Sequence, residues 1–263
     1  MTFLQAVLIG ILEGLTEFLP VSSTGHMILA TALMGIQNTD FVKTFEIVIQ
    51  LGAILAVVVL YFKRFTTGFR IYTKLFAAFL PTAIIGFFAY RYIKQYLFTP
   101  IVVTVALIVG GIVLILIDRW TETRTSRYEG LADISIPDAI KIGFFQSLSM
   151  IPGTSRSAAS IIGGIYAGFD RTLATEFSFL LAVPTMFAAS ALDLVRSRGN
   201  IHSAELPILA TGFVVAFISA LFAMKGFIAW IQKHGFKHFG YYRIALGILF
   251  LILCWKLGIN LRP

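Results

Sequence analysis

The sequence predicts an all-α integral membrane protein: an inverted repeat of two halves, each with one re-entrant helix-loop-helix hairpin and three transmembrane helices. Three observations lead to this fold class. The composition is too apolar for folding in water, and six uncharged runs each supply most of a helix that crosses a bilayer. Two further apolar stretches are each broken by a polar loop. Together they assign the whole chain, 1–263, to a single membrane domain.

The composition excludes a soluble domain. Hydrophobic residues make up 58% of the 263 residues and charged residues only 13%, about half the charged share of soluble domains. With 25 Phe among them, the residues supply too little polar surface to cover a water-soluble globule. The net charge of +8 is typical of cytoplasmic loops that face anionic lipid and does not indicate nucleic-acid binding. The single cysteine, Cys254, excludes an internal disulfide.

Six apolar segments are expected to cross the bilayer, because each supplies most of the ~20 residues that a transmembrane helix needs. Basic or polar connections separate these segments. The predicted spans are about 41–62, 75–92, 97–118, 174–194, 206–228 and 241–259. The last has the shortest uncharged run, Ile244–Trp255, and needs Tyr241 and the residues after it to complete a span.

Two other apolar stretches, 2–36 and 138–169, are predicted to be re-entrant hairpins. A polar run interrupts each near its middle, after Pro20 in the first and after Pro152 in the second. Non-helical backbone at membrane depth is tolerated only where protein or a watery cavity surrounds it. The loops of the two hairpins are therefore expected to meet inside the helix bundle.

The two hairpins also resemble each other in sequence, which indicates an internal duplication. At a shift of 133 residues the beginnings of the hairpins align, and Glu13 falls on Gln146. After a gap of one residue the alignment continues at a shift of 132, which pairs Ser23 with Ser155.

The duplication predicts how the two halves are oriented. With one hairpin and three spans, each half crosses the membrane an odd number of times, so the second half enters from the opposite side. Such an inverted repeat sets a site near the bilayer interior, where broken helices converge. The repeats are predicted to cover 1–120 and 138–263, with the polar linker 121–137 between them.

The distribution of basic residues predicts the orientation of the chain in the membrane. Arg156 lies in a hairpin loop, and of the other 20 Lys and Arg residues, 13 fall on one side and 7 on the other. The side with 13, to which Arg243 is assigned, is expected to be cytoplasmic by the positive-inside rule. Both termini and the mouth of the first hairpin would then face outward.

Glu13 and Glu17 are the first candidate site. They lie four residues apart, so on a helix they share one face. Carboxylates in an apolar segment are costly, and two of them repel unless a proton or a cation joins them. A hard divalent cation such as Mg²⁺ or Ca²⁺ suits the pair, completed by phosphate oxygens of a substrate. A polar stripe at a helix interface is the alternative to this predicted metal site.

The loop that follows Glu17 is rich in groups that can do chemistry. It supplies Ser22, Ser23, Thr24 and His26, a set that offers a nucleophile, hydrogen-bond donors and an acid or base. Capping of the second half-helix by a hydroxyl is also expected here. Four polar side chains in seven residues exceed what a cap requires.

The second loop, Pro152–Ser157, carries Arg156, whose guanidinium is always charged and matches phosphate oxygens. The helix after it would direct its N-terminal amides at the same point, which makes an anion site. A structural salt bridge from Arg156 to Glu13 or Glu17 is the alternative. Further candidate contacts to the anion are the hydroxyls of Thr154, Ser155 and Ser157.

The two motifs, Glu13-Gly-Leu-Thr-Glu-Phe-Leu-Pro-Val-Ser-Ser-Thr-Gly-His26 and Pro152-Gly-Thr-Ser-Arg-Ser157, closely resemble the signatures of bacterial undecaprenyl pyrophosphate phosphatases. These are also called undecaprenyl-diphosphatases or bacitracin resistance proteins. The resemblance covers the whole chain, including the segment Lys43–Gly52, and the two motifs together are far more specific than either alone. One departure is Ser160, where the family usually has threonine, so a hydroxyl is retained.

The resemblance implies an activity and a setting. The activity is hydrolysis of a C55 polyprenyl diphosphate to the monophosphate, with release of inorganic phosphate, in support of peptidoglycan synthesis. The setting is the bacterial cytoplasmic (inner) membrane, with the site open to the outer face, a divalent cation as cofactor and an inverted-repeat fold that can dimerise. The functional residues that the resemblance carries over are Glu13, Glu17, Ser23, His26, Ser155, Arg156 and Ser160.

The predicted reaction is attack on the terminal phosphorus by Ser23 or by a water, assisted by Glu17 or His26. A lipid-phosphate transporter or flippase is the competing hypothesis, because inverted repeats with broken helices are a transporter architecture. A phosphate-binding arginine serves either function. The acid pair beside a serine and a histidine favours hydrolysis.

Overall fold

The computed structural model describes residues 1–66, 68–121, 126–196 and 203–257, and most of them are helical. The predicted all-α fold is confirmed for this part of the chain. Its α-helices are α1 Phe3–Thr16, α2 Ser23–Leu33, α3 Asp40–Leu60, α4 Phe62–Thr66, α5 Arg70–Tyr96, α6 Pro100–Thr121, α7 Ile136–Ser147, α8 Arg156–Tyr166, α9 Arg171–Arg196, α10 Leu206–His234 and α11 Lys237–Leu257. Two 3₁₀ turns, Leu148–Met150 and Ser203–Glu205, accompany them. Residues 122–125 of the predicted linker lie outside the described residues.

Six of these helices (α3, α5, α6, α9, α10 and α11) are long and apolar enough to cross a membrane. They fall on the six predicted spans, although α5 already begins at Arg70 and α10 continues to His234. Both extensions carry charged residues, which a search for uncharged runs leaves out. Large apolar side chains such as Phe87 and Trp255 are more than four-fifths exposed, at 81% and 83%. A surface of this kind requires lipid, so the protein is a multi-pass membrane protein.

Capping residues set where the first helix of each hairpin begins. Thr2 and Gln5 form a reciprocal capping box at α1. Ser135 caps α7 by accepting a hydrogen bond from the Asp138 N–H, and a proline follows in the first turn. Thr2 and Ser135 are 133 residues apart, which is the shift at which the two sequences align.

Each predicted hairpin is a pair of helices, α1–α2 and α7–α8, whose outer ends meet. In the first, the Gln5 side-chain amide donates to the Met34 carbonyl at 3.2 Å. In the second, the Arg127 N–H donates to the Gly168 carbonyl at 2.8 Å, and the Arg127 guanidinium lies 3.8 Å from Asp138. The two ends of each hairpin therefore lie on the same side of the molecule.

Glycines bring helices into close contact at several places, three of which position the hairpins and α11. A Cβ on Gly10 of α1 would lie 2.9 Å from a backbone oxygen of α10, and one on Gly143 of α7 would lie 3.0 Å from a backbone carbon of α5. A Cβ on Gly111 of α6 would lie 2.6 Å from the Gly240 carbonyl of α11. Backbones approach this closely only where small residues meet. These contacts hold the first hairpin against α10, the second hairpin against α5, and α11 against α6.

Phe18, in the turn after α1, anchors the first loop inside the bundle. Its ring packs edge-on against Phe179 of α9, with centroids 5.4 Å apart, and both side chains are fully buried. Inside a bilayer, close packing of this kind stabilises through van der Waals contacts, because lipid is as apolar as the protein interior. The loop that carries the candidate nucleophile is therefore a packed part of the core.

Ion pairs collect at the end of the molecule that is predicted to be cytoplasmic. Asp118, near the end of α6, lies 2.7 Å from Arg171 at the start of α9, and it accepts a hydrogen bond from the Phe236 N–H at 2.8 Å. Arg64 and Glu176 are paired at 2.8 Å. These contacts fasten the helix ends to one another away from the candidate site.

Asp138 at the mouth of the second hairpin is part of the same end. Burial of its carboxylate opposes ionisation, but hydrogen bonds from Lys141, Tyr128 and Ser135 outweigh burial and lower the pKa of Asp138 from 3.8 to about 2. The carboxylate is ionised in the folded protein at neutral pH and ties the linker to α7.

Candidate active site

The candidate site lies where the C-terminal end of α1 meets the N-terminal ends of α2 and α8. Glu17 follows the last turn of α1, Ser23 begins α2 and Arg156 begins α8. The Ser23 hydroxyl donates to Glu17 Oε2 at 2.6 Å, and Arg156 Nη2 donates to Glu17 Oε1 at 3.2 Å. One carboxylate therefore joins a candidate nucleophile to a candidate anion-binding cation across the two hairpins.

The two loops have the same unusual backbone at Ser22 and Ser155. Among the described residues other than glycine, only these two have a positive φ, of 70° and 74°. Each is the N-cap of the following helix: Ser22 accepts from the Gly25 N–H and Ser155 from the Ala158 N–H. Such a backbone costs about 1–3 kcal/mol per residue and persists where the surroundings hold it. The capping expected for the first loop is confirmed, the second loop has the same kind of cap, and both hydroxyls are engaged in capping.

Arg156 is held on several sides. Besides Glu17, it donates from Nη1 to the Ser178 carbonyl at 3.0 Å, and its guanidinium lies 5.5 Å from the centroid of the Phe18 ring. The side chain is 9% exposed, and its Nε has no hydrogen-bond partner among the described residues. The salt bridge to Glu17 is thus present in this structure, and Arg156 retains an unused donor.

His26 points away from Ser23. Its Nδ1 lies 2.8 Å from the Ser22 carbonyl, which can only accept, so Nδ1 carries the proton. Nε2 then accepts from the Tyr242 hydroxyl at 2.6 Å. Both ring nitrogens are occupied, so of the two bases predicted for Ser23 only Glu17 contacts it.

The other predicted contacts divide into exposed and buried groups. Thr24, in the first loop, is exposed, and Thr154, in the second loop, is half-buried. Ser157 is buried and donates to the Phe18 carbonyl at 2.6 Å, while the buried Ser160 hydroxyl lies 2.6 Å from that of Ser178. The structure uses Ser157 and Ser160 to hold α8 against the first loop and α9. Their direct contact with a substrate stays a prediction.

Comparison with known proteins agrees with the residues in this site. A family model described as bacitracin resistance protein BacA matches residues 6–249. The chain belongs to this family. It is 50% identical over 251 residues to a protein of Aquifex aeolicus named undecaprenyl-diphosphatase, covering 95% of this chain and 98% of that one. Proteins with the same name from Sulfurihydrogenibium (51% over 252 residues, 96% and 99% covered) and Bdellovibrio bacteriovorus (47% over 255 residues, 97% of each) match equally fully.

Membership of the BacA family confirms the resemblance inferred from the two motifs, and it directs attention to the predicted divalent cation. Glu13 is buried beside Glu17, within hydrogen-bonding reach of it. Two carboxyl groups so placed need a shared proton or a cation between them. Among the described residues no group of three or more acidic, histidine or cysteine side chains is arranged so that it could hold a metal ion. The pair fits a cation such as Mg²⁺ that takes its remaining ligands from phosphate and water.

Glu46 and Gln50 of α3 lie behind this pair. Glu46 is close enough to interact electrostatically with Glu13, and Gln50 accepts a hydrogen bond from Ser190 of α9 at 3.2 Å. Gln50 therefore ties two long helices together, whereas Glu46 adds a third acid near the carboxyl pair.

Sequence reasoning missed Arg243, and the orientation count misplaced it. The side chain is 0% exposed and lies inside the bundle, so its assignment to the cytoplasmic surface is wrong. Helix α11 begins at Lys237, which carries residue 243 almost two turns inward. Removing Arg243 from the 13 basic residues on that side leaves 12 against 7, so the predicted orientation is unchanged. The feature of the sequence that could have indicated its buried position is that Arg243 directly precedes the apolar run Ile244–Trp255.

Proposed function

We propose that this protein hydrolyses undecaprenyl diphosphate to undecaprenyl phosphate and inorganic phosphate. The observation that carries the proposal is the chain of contacts from Ser23 through Glu17 to Arg156, in which a hydroxyl, a base and a cation converge between two helix N-termini. Relatives over nearly the full chain are named undecaprenyl-diphosphatase. A transporter needs the cation but has no use for a serine bound to a buried carboxylate, so hydrolysis is favoured over lipid transport.

In the proposed reaction the Ser23 oxygen attacks the terminal phosphorus and its proton passes to Glu17. A bond forms between Ser23 Oγ and phosphorus, and the bond from phosphorus to the bridging oxygen breaks. The electron pair leaves with undecaprenyl phosphate. A water then attacks the phosphoserine, inorganic phosphate departs, and Ser23 regains a proton.

Charge compensation in this reaction comes from Arg156 and from the N-terminal ends of α2 and α8. Arg156 is the cation nearest to Glu17 and offers planar donors that match two phosphate oxygens. The amides at the start of α2 and α8 add partial positive charge, which favours an anion at this point. Donors aimed at developing charge are commonly the largest contribution to catalysis.

Glu13 and Glu17 would hold the divalent cation of the proposed enzyme. When bound, it supplies positive charge to the diphosphate oxygens. Arg156 and the helix amides then bind the oxygens that face the second hairpin. Glu17 Oε2, which accepts from the Ser23 hydroxyl, orients Ser23.

We also propose that the two hairpins are re-entrant and that 1–120 and 138–263 form an inverted repeat. The strained caps Ser22 and Ser155 are 133 residues apart, as are the caps of α1 and α7, so no gap is needed in the alignment. Ser22, rather than Ser23, is then the counterpart of Ser155. Packing of the loops against Arg243, which contacts Gly110 halfway along the 22 residues of α6, supports a position deep in the bilayer.

The proposed setting is the bacterial cytoplasmic membrane, with the site open to the outer face. The 12-to-7 distribution of basic residues supports this orientation. The apolar surface of the six long helices suits a polyprenyl tail beside a polar site. The dimer implied by the resemblance stays a prediction.

The test is phosphate release by purified protein from undecaprenyl diphosphate, with Ser23→Ala beside a control that removes a remote hydroxyl, Thr73→Ala. We expect release by wild type and control, loss after chelation with EDTA and recovery with Mg²⁺ or Ca²⁺. Acid quenching with substrate labelled in the terminal phosphate should trap label on Ser23. Absence of phosphate release by wild type refutes the function, whereas full activity of Ser23→Ala refutes only the nucleophile.

A further inference from the structure

Arg243 of α11 is the largest fully buried side chain in the described part of the protein, at 0% exposure. Its five N–H groups are directed at backbone carbonyls. Nε donates to Leu107 at 3.3 Å, Nη1 to Pro20 at 3.1 Å and Thr154 at 2.9 Å, and Nη2 to Ala106 at 3.0 Å and Gly153 at 2.8 Å. The planar fork is therefore fully used within the protein.

These carbonyls come from three separate segments. Pro20 belongs to the loop of the first hairpin, Gly153 and Thr154 belong to that of the second, and the other two lie in α6. Inside a membrane protein an unpaired carbonyl is costly, and loops leave carbonyls unpaired that helices would satisfy. One guanidinium satisfies carbonyls of both loops at once and fixes their separation.

The neighbouring helix is shaped to admit this guanidinium. Gly110 of α6 faces it so closely that a Cβ at that position would collide with Nη2 and lie 2.8 Å from the central guanidinium carbon. Gly110 thus makes room for the Arg243 head group. This gives a way to displace the head group without removing it.

The loop atoms that Arg243 holds are next to the reacting groups. Pro20 lies three residues from both Glu17 and Ser23, and Thr154 lies two residues before Arg156. The positions of Pro20 and Thr154 therefore set the distance between the serine–carboxylate pair and the cation. The hydrogen bonds of Arg243 go to backbone carbonyls and not to the side chains of Glu17, Ser23 or Arg156.

The charge of Arg243 is compensated differently from that of other arginines inside the fold. Arg156 is paired with Glu17 and Arg171 with Asp118, but no acidic partner of Arg243 is found within the described residues. A buried charge without a counter-ion is costly. An arginine retained under those conditions is expected to serve the site above it, where an anion would be favoured.

We propose that Arg243 is a positioning residue for catalysis, which holds the two hairpin loops at the separation that aligns Ser23 and Glu17 with Arg156. The proposal rests on the proposed hydrolysis. It assigns a role in the site to α11, the helix most distant in sequence from the first motif.

The first test compares Arg243→Lys with a matched control, Arg171→Lys. Lysine keeps the charge but has three donors instead of a five-donor fork, so it cannot hold both loops and α6 together. For Arg243→Lys we expect kcat to fall about 10- to 100-fold, since a displacement of about 1 Å can have that effect, with a much smaller change in KM. Arg171→Lys should lower the melting temperature yet keep kcat. Unchanged kcat in folded Arg243→Lys overturns the proposal.

The second test leaves Arg243 in place. Gly110→Ala displaces the guanidinium, whereas Gly226→Ala, on α10, adds a Cβ with nothing within 4 Å and serves as the control. Hydrogen exchange measured by mass spectrometry should increase in both loops, residues 18–26 and 151–158, for Gly110→Ala and for Arg243→Lys. It should stay unchanged for the control.

Hydrogen exchange makes the two proposals separable. Faster exchange in both loops with an inactive wild type would leave the loop contact standing and refute the function. Unchanged exchange in both loops refutes the positioning role, whatever the activity of the wild-type protein. Added guanidinium should partly restore kcat to an Arg243→Ala variant, an effect that a loss of overall stability alone would not produce.

Discussion

Replacing Glu17 by glutamine removes the negative charge of the carboxylate whose two oxygens bind Ser23 and Arg156. In the wild-type protein Oε2 accepts from the Ser23 hydroxyl at 2.6 Å and Oε1 accepts from Arg156 at 3.2 Å. A glutamine has one acceptor oxygen and one NH₂ group. Its NH₂ cannot face the guanidinium, because two donors would meet, so its oxygen must face Arg156 and its NH₂ must face Ser23.

In that arrangement the glutamine NH₂ donates to the Ser23 oxygen, whereas in the wild type the Ser23 hydroxyl donates to Glu17. No base then contacts Ser23. Loss of a positioned general base costs about 10²–10⁴ in rate, which is about 3–5 kcal/mol of barrier. Glu13→Gln removes a carboxylate that does not contact Ser23, so its effect on kcat at saturating cation should be smaller. Both glutamines retain the volume of the side chain, so the fold should be retained.

The assay is single-turnover hydrolysis of undecaprenyl diphosphate at saturating enzyme and Mg²⁺, with the melting temperature measured beside it. We expect Glu17→Gln to be the slower of the two variants by at least about tenfold, or about 1.4 kcal/mol. If folded Glu17→Gln hydrolyses substrate at the wild-type rate, the assignment of Glu17 as the base for Ser23 is wrong.

Three further predictions follow from the structure. Arg156→Lys should remain folded but lose about 10²–10³ in rate, since lysine lacks the fork that matches phosphate; near-wild-type turnover beside an unstable Arg156→Ala would favour a purely structural salt bridge. Single cysteines in the segment 62–74, in a Cys254→Ala background, should resist impermeant thiol reagents in intact cells, while those in the segment 91–99 should react; the opposite pattern would invert the orientation. The lowered pKa of Asp138 contributes about 2 kcal/mol of stability above pH 4, one pKa unit being about 1.4 kcal/mol. This contribution is lost as pH falls from about 4 to about 2, so the melting temperatures of wild type and Asp138→Asn, compared at pH 7 and pH 3, should converge at the lower pH.

The sequence was sufficient to predict the site residues whose polar or charged side chains interrupt apolar segments. Glu17, Ser23 and Arg156 interrupt apolar stretches, and polar groups in such places need partners, so their convergence could be predicted from helix periodicity and a re-entrant loop. The six spans could be predicted for the same reason, because length and lack of charge are what a bilayer selects.

The sequence was insufficient to predict contacts to backbone atoms and unusual backbone conformations. Arg243 binds carbonyls of residues up to 223 positions away, and since every residue has a carbonyl, no motif marks them. The positive φ of Ser22 and Ser155 is likewise invisible to an alignment of side chains, which matched runs of hydroxyls and introduced a gap. His26 is one of the two bases predicted for Ser23, but its Nε2 binds the Tyr242 hydroxyl of α11, and that pairing depends on the packing of the last helix.

Under the proposed repeat, matching positions of the two hairpins carry different chemical groups. Helices α2 and α8 both have 11 residues, and the first residue of α2 is Ser23 where that of α8 is Arg156. Ten positions earlier in each hairpin stand Glu13 and Gln146. In the proposed mechanism, one hairpin therefore supplies the nucleophile and the acids, and the other supplies the cation that binds the anion.

Gln146 tests this division, because its amide is committed to structure. It is 0% exposed, and its NH₂ donates to the hydroxyls of Thr82 at 3.0 Å and Thr185 at 3.1 Å. Both hydroxyls already donate to backbone carbonyls, so a carboxylate in place of the amide would have no donor from either. Gln146→Glu should therefore lower the melting temperature strongly, at a cost of about 3–5 kcal/mol for an uncompensated buried charge, whereas Gln146→Met should be milder. Retained stability of Gln146→Glu at neutral pH would show that the second hairpin, like the first, has an environment that accepts an acid.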